Sequence, residues 1–147
     1  GFDVTAVDIS GVGIEKIRQA ADKNNISLHT EVADIGHIEL KDRFDIFVST
    51  FVLHHLPRTE ALRVIRMIQE YTAPNGLNVL SIFTKDGDFY RKYPETTDFY
   101  PNTQELKEIY NRWEILQYNE ELGKAFAKRP DGTPMENMSA RIIARKI

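Results

Sequence analysis

The sequence predicts an α/β fold with a mostly parallel sheet and one antiparallel edge strand. Short apolar segments rich in β-branched residues alternate with segments of helical periodicity, in the order strand, helix, strand, strand, helix, strand. This alternation is typical of parallel sheets joined by crossover helices. Two further strand-like segments close the chain as a hairpin-like pair, which indicates that one strand at the edge runs against its neighbour.

The first three elements are indicated by short, clear signals. Residues 2–9 are apolar and end at an acid, as a buried parallel strand does. Ser10 is suited to cap a helix over residues 11–24, in which apolar residues recur at helical spacing. Residues 26–35 are expected to form a second short strand that ends in a turn.

The middle of the chain gives the strongest strand signal. Residues 44–50, with the sequence FDIFVST, are predicted to form a strand. Pro57 marks a break before a helix that we expect to run to about Tyr71. The residues APNG should then turn the chain into a fourth strand over residues 77–83.

The last part of the chain begins with a long aperiodic segment. Residues 84–102 are predicted to form a loop, and loops of this length are often lids or binding loops. Asn102 followed by Glu105 has the spacing of a cap for a short helix over residues 103–110. The predicted closing elements are strands over 113–121 and 138–146, with a tight turn at 129–134. The whole layout is Rossmann-like, and such sheets bind ligands beyond the carboxyl ends of their strands.

Composition sets limits on function. The 147 residues suit one domain, and the net charge of -3 argues against bulk attraction to nucleic acid or to anionic membranes. The chain has no Cys, no apolar stretch of membrane-spanning length and no visible signal peptide. We therefore expect a cytoplasmic domain without nucleic-acid or membrane partners, whose oligomeric state the sequence leaves open.

Two acids are predicted to follow neighbouring strands. Asp8, followed by Ile9, is placed to accept hydrogen bonds from the hydroxyls of a ribose, although it is equally suited to capping the next helix with Ser10. Asp34, beside the apolar Ile35, is placed to hold the amino edge of adenine, although an Asp is also common in turns. Together the two acids favour an adenosine pocket.

The end of the 44–50 strand supplies further candidates. Ser49 and Thr50, with residues 51–55 that follow them, are expected to line the floor under the reactive end of a bound cofactor. His54 and His55 are adjacent, so their side chains point in different directions and do not form a metal site together. We expect no metal, and we expect one of the two His to face the crevice.

Four segments in order make the sequence similar to a known class of enzymes. GFDVTAVDIS, VADI, FDIFVSTFVLHHL and TAPNGLNVL resemble successive motifs of class I S-adenosylmethionine-dependent methyltransferases. The later segments ELKEIYNRWEILQYNEELG and ARIIARK resemble the tellurite-resistance methyltransferases in particular. The resemblance implies S-adenosylmethionine as cofactor, with its ribose on Asp8, its adenine on Asp34 and Ile35, and its methionine end beside Ser49 and Thr50. It also implies a small-molecule methyl acceptor, such as an oxyanion of tellurium or selenium.

The sequence departs from that family in two places. The family's opening strand and Gly-rich loop precede the segment that begins at Gly1, so we expect residues 1–147 to be an N-terminally incomplete methyltransferase domain whose flanking strands have unpaired edges. The family's His-Arg pair and further Arg are replaced by Phe126, Ala127 and Pro134, although Lys128 and Arg129 lie nearby. The catalytic residues therefore stay unassigned. The alternatives are a non-catalytic binding domain of the same fold and, less favoured, a nicotinamide-dependent oxidoreductase.

The aromatic residues of the long loop complete the prediction. Residues 84–101 contain Phe89, Tyr90, Tyr93, Phe99 and Tyr100. Together with the turn from Lys128 to Pro134, this segment is predicted to cover the acceptor pocket as an aromatic lid, which would exclude water around a sulfonium. The alternative is that these rings only cover the edge of the sheet.

Overall fold

A computed structural model describes residues 1–147, which form two compact units, Gly1–Glu39 and Leu40–Ile147. The elements of the first unit are β1 (Thr5–Asp8), α1 (Gly11–Lys23) and β2 (His29–Val32). The two strands are parallel, and Asp8 lies opposite Val32. Both strands are shorter than predicted, because each pairs with the other alone over four opposed residues.

Helix α1 begins and ends where its sequence provides partners for free backbone groups. The Ser10 hydroxyl accepts a hydrogen bond from the Gly13 amide at 3.0 Å, as the capping prediction requires. At the other end, Asn24 donates through its side chain to the carbonyl of Ala20. Ile14 and Ala21 are the buried residues of the helix and form its packed face.

The second unit carries a four-stranded sheet in the order β3-β4-β6-β5. Its elements are β3 (Phe44–Thr50), a 3-10 helix (Leu53–His55), α2 (Arg58–Tyr71), β4 (Thr72–Phe83), α3 (Asp88–Lys92), α4 (Glu105–Ile109), β5 (Glu114–Lys128) and β6 (Pro134–Arg145). Strand β3 pairs with β4 in parallel, whereas β6 runs antiparallel to both β4 and β5. Three of the four strands therefore point the same way, and the antiparallel strand is β6, which lies inside the sheet and not at its edge as predicted. The α/β fold class predicted from the sequence is confirmed.

Strands β5 and β6 are longer than predicted, and two further segments differ from their predictions in kind. The APNG residues do not turn the chain away from the sheet but lie within β4 as a bulge, since Phe44 pairs with Thr72 and Ile46 already pairs with Leu77. Asn75 absorbs the extra length with a φ of 63°, a conformation that Asn tolerates better than most residues. The predicted loop after β4 contains the short helix α3.

The core of the second unit lies where α2 covers the sheet. Four apolar side chains of α2 are buried: Ala61, Val64, Ile65 and Ile68. A buried polar chain continues from this helix, in which Thr72 donates to Asn78 and Asn78 donates to the hydroxyl of Tyr110. None of the helices is long and apolar enough to cross a membrane.

Candidate functional site

The two candidate acids of the first unit lie at the same edge of its sheet. Asp8 ends β1, and Asp34 follows β2 by two residues. The Ala33 amide donates to the Asp8 carbonyl at 3.1 Å, which keeps the two chains side by side beyond the paired strands. The structure therefore brings Asp8 and Asp34 to neighbouring carboxyl ends, as the sequence predicted for an adenosine pocket.

Asp8 takes part in the local turn that starts α1. Its Oδ1 accepts a hydrogen bond from the Ser10 amide at 2.7 Å, next to the Ser10 cap of the helix. The side chain is half-buried, whereas the following Ile9 is 70% exposed. The capping role that the sequence offered as an alternative is thus realised through Oδ1, and the ribose role remains a prediction.

Asp34 is likewise part of a turn. Its Oδ1 accepts from the Gly36 amide at 2.8 Å, and its Oδ2 lies 2.9 Å from Nδ1 of His37. Ile35 is half-buried beside it. The turn role is therefore realised as well, and the adenine role of Asp34 and Ile35 stays a prediction.

In the second unit, Ser49 and Thr50 end the edge strand β3. They lie opposite Leu80 and Ser81 of β4, with Ser49 half-buried and Thr50 exposed. Directly after them Phe51 adopts a φ of 54°, and its amide donates to the Ser81 carbonyl at 2.8 Å. A positive φ is costly for a bulky residue, so its presence at a strand end marks a place where the fold imposes a sharp change of direction.

Past this bend, six rings gather at the carboxyl ends of β3 and β4. We call them the aromatic cluster: Phe51, His54, Phe83, Phe89, Tyr90 and Tyr100. Phe51 stacks on Phe83 at 4.5 Å between centroids, and His54 meets Phe83 edge-on at 4.9 Å. Such offset and edge-on pairs are the favoured arrangements of aromatic rings.

The aromatic residues predicted to form a lid lie in three different environments. Phe89, Tyr90 and Tyr100 join the aromatic cluster. Phe99 is fully buried under the guanidinium of Arg58 and serves packing. Tyr93 is 63% exposed. Phe83 is absent from the candidates predicted from the sequence, although it ends β4 and a position at a strand end was the available signal.

His54 sits inside the aromatic cluster as a buried imidazole. It is 3% exposed, and its Nδ1 has no hydrogen-bond partner in the protein. Burial and, to a smaller extent, the neighbouring His55 lower the pKa of His54 to about 4, with Asp98 acting in the opposite direction. His54 is therefore neutral at physiological pH, and His55 is the exposed member of the pair.

The segment that carries α3 is fastened to the β5–β6 hairpin. Arg129 contacts Asp88 through Nη2 at 2.7 Å and Glu136 at 3.3 Å, and the Glu136 amide donates to the Asp88 carboxylate at 2.8 Å. Phe89 donates its amide to the side chain of Asn137 at 2.8 Å. The amide of Glu136 and the guanidinium of Arg129 hold the pKa of Asp88 below its usual value. Arg129 is thus engaged by two carboxylates, whereas Lys128 is exposed.

The comparisons with known proteins agree on one family. The family model described as "Tellurite resistance protein TehB" matches residues 1–138. A curated relative from Haemophilus influenzae (strain 10810), named probable S-adenosyl-L-methionine-dependent methyltransferase TehB, is 31% identical over 146 residues, which are 99% of this chain and 50% of the relative. The chain therefore spans about half the length of the curated relatives it matches.

Solved structures extend this similarity to the fold. The crystal structure of TehB from Haemophilus influenzae superposes with a TM-score of 0.86 at 29% identity, covering 100% of this chain and 51% of that one. The N-methyltransferase NodS from Bradyrhizobium japonicum, solved with S-adenosyl-L-homocysteine, gives a TM-score of 0.66 at 17% identity over 97% of this chain and 66% of that one. At that identity the second match is informative about the fold alone.

Proposed function

Because the chain belongs to the TehB family of tellurite-resistance proteins, we propose that it forms part of an S-adenosylmethionine-dependent methyltransferase acting on a small molecule. The observation that carries the proposal is the placement of Asp8 and Asp34 at adjoining carboxyl ends of a parallel strand pair. Strand ends of parallel sheets are where α/β proteins of this class hold nucleotides.

The residues of the first unit fit the adenosine part of the cofactor. Asp8 has a half-buried carboxylate whose Oδ1 accepts a hydrogen bond from the Ser10 amide. A carboxylate has further acceptor positions, which can bind the hydroxyls of a ribose. Ile9 is exposed at the same edge. We assign the ribose to Asp8 and Ile9, and the adenine to Asp34 and Ile35.

For the second unit we assign the methionine end of the cofactor to Ser49 and Thr50, which end β3. When bound, S-adenosylmethionine supplies an electrophilic methyl group on a sulfonium. The rings that gather beyond β3 and β4 present apolar surface and ring faces, which favour a cation and exclude water. Oxyanions of tellurium and selenium are the first acceptors to test, because the family model is named for tellurite resistance.

The cofactor assignment is tested by calorimetry with S-adenosylmethionine. Asp8→Asn keeps an oxygen for the Ser10 amide but removes the charge, so it separates the ribose role from the capping role. We expect Asp8→Asn to weaken binding by about 1.5–3 kcal/mol, the range for hydrogen bonds to a charged group. Asp22→Ala, which removes an exposed carboxylate from α1, is the matched control and should bind normally.

Unchanged affinity of a folded Asp8→Asn chain would remove Asp8 from the site. If the full-length protein bound no cofactor, unaltered or as either variant, the proposed function would fail as a whole. The methyl acceptor is identified in a separate experiment, which measures the release of S-adenosylhomocysteine with tellurite, selenite and hydrosulfide as separate probes.

A further inference from the structure

His54 combines two properties that packing alone does not explain. Its side chain is almost fully buried, yet Nδ1 finds no hydrogen-bond partner. Leaving a buried polar atom unpaired costs free energy, so such atoms are rare in folded proteins and often mark places where function has been favoured over stability. A Phe or Leu at this position would fill the same space without that cost.

The surroundings of His54 indicate what the unpaired nitrogen is for. Phe51 and Phe83 approach it from the ends of β3 and β4, while Tyr100 approaches from the 84–101 segment, with ring centroids 5.7 Å apart. His54 thus lies between the end of the sheet and the segment above it. This is the edge at which α/β sheets hold their ligands.

We propose that His54 binds the methyl acceptor, accepting a hydrogen bond through Nδ1 from a small nucleophile that carries an S–H, Se–H or O–H group. The proposal rests on the proposed methyl-transfer function and gives its acceptor a chemical class. A neutral imidazole keeps one nitrogen lone pair free, and burial keeps this imidazole neutral. Aromatic walls on either side suit a soft, weakly hydrated group, for which the loss of water is cheap.

An acceptor at Nδ1 would lie beside the ring of Tyr100, whose centroid is 5.7 Å from that of His54. Tyr100 and Phe89 both belong to the 84–101 segment, and the base of that segment is fixed, since the Lys85 amide donates to the Pro101 carbonyl at 3.1 Å. The amides of Phe99 and Phe89 are held as well, by the Leu56 carbonyl and the Asn137 side chain. An acceptor would therefore be admitted by rotation of side chains rather than by movement of the backbone.

Three variants of the full chain test the role of His54. His54→Phe keeps a ring of similar size but removes both nitrogens, whereas His54→Asn places an amide close to the position of Nδ1. His55→Asn makes the same change at the exposed neighbour. Transfer to hydrosulfide, 2-mercaptoethanol, selenite and tellurite is measured by release of S-adenosylhomocysteine. Unfolding temperature and cofactor affinity are measured on the same samples.

We expect His54→Phe to lower kcat/KM for the acceptor by about 10- to 100-fold, the effect of leaving a substrate donor unpaired, while cofactor affinity stays the same. His54→Asn should recover part of this loss, and His55→Asn should behave like the unaltered chain. Unchanged kcat/KM in His54→Phe would overturn the proposal. Equal losses of kcat/KM in His54→Phe and His54→Asn, in proportion to their losses of unfolding temperature, would overturn it as well.

A second measurement does not depend on turnover. In nitrogen-15 spectra of the unaltered chain, the Nδ1 resonance of His54 should shift when hydrosulfide or 2-mercaptoethanol is added, and the His55 resonances should not. If the Nδ1 resonance of His54 shifts with neither of these two probes, the proposal is overturned, even where calorimetry shows that the cofactor binds. A shift without any cofactor binding supports the His54 site while the methyltransferase assignment fails.

Discussion

Replacing His54 by Phe should make the protein less sensitive to acid. The pKa of His54 falls from 6.5 to about 4 on folding, with burial as the main cause. Between these two pH values His54 is protonated in the unfolded chain and neutral in the folded chain. Acid therefore favours unfolding. The contribution of neutral His54 to the free energy of unfolding is therefore fully present above the unfolded pKa of 6.5 and is lost as the pH falls toward 4.

The magnitude follows from the two pKa values. Between about pH 7 and about pH 5, protonation of the unfolded imidazole should cost the folded state about 2 kcal/mol. The groups that face His54 are His55, Asp98 and the neutral phenol of Tyr100. They remain in His54→Phe, so the difference between the two proteins isolates His54.

Urea unfolding at both pH values, followed by circular dichroism, measures this difference. We expect the stability of His54→Phe relative to the unaltered chain to rise by about 2 kcal/mol when the pH is lowered from about 7 to about 5. If the relative stability of the two proteins were the same at both pH values, His54 would not be buried as a neutral imidazole.

Three further perturbations have clear expected results. Val48 is 67% exposed on the edge strand β3 and should promote association of the isolated chain. Val48→Lys should therefore reduce the apparent mass in light scattering, and an unchanged mass would show that the chains do not associate through this edge. Tyr110→Phe removes the hydroxyl that pairs with the buried Asn78 and should lower the free energy of unfolding by about 1–3 kcal/mol; normal urea stability would contradict this. Arg129→Gln breaks the contacts to Asp88 and should speed amide hydrogen exchange in residues 84–101, but not in α2. If residues 84–101 exchanged at the same rate in the variant and the unaltered chain, the ion pairs would not hold that segment.

The fold was largely predictable because each element has a strong local signal. FDIFVST is an apolar segment with a clear beginning and end, and it forms β3 with the predicted bounds. Ser10 caps α1 as its hydroxyl and its position indicate. The APNG bulge was not predictable, because the same residues favour a turn. They are kept in β4 by the pairing of the flanking Thr72 and Leu77 with β3 and by backbone hydrogen bonds of Asn75 and Gly76 with Lys146.

The candidate site was predictable in part for the same reason. Acids at strand ends can be read from a sequence, and Asp8 and Asp34 do lie at neighbouring ends. The aromatic cluster depends instead on contacts between residues far apart in the chain, such as Phe83 with Phe89 and His54 with Tyr100. No local pattern distinguishes Phe99, which is buried, from Tyr100, which meets His54.

The closed base of the 84–101 segment has a consequence for how this protein can vary. Its ends are joined at Lys85 and Pro101, and Arg58 holds the carbonyl of Thr97 through its amide. Residues 93–96, by contrast, lie at the exposed or half-exposed far side of the segment. Because closing a longer loop adds little entropic cost, insertions there should leave the sheet and its strand ends undisturbed. Residues 93–96 are therefore a position at which this segment can lengthen, in the laboratory or in evolution, without rebuilding the domain.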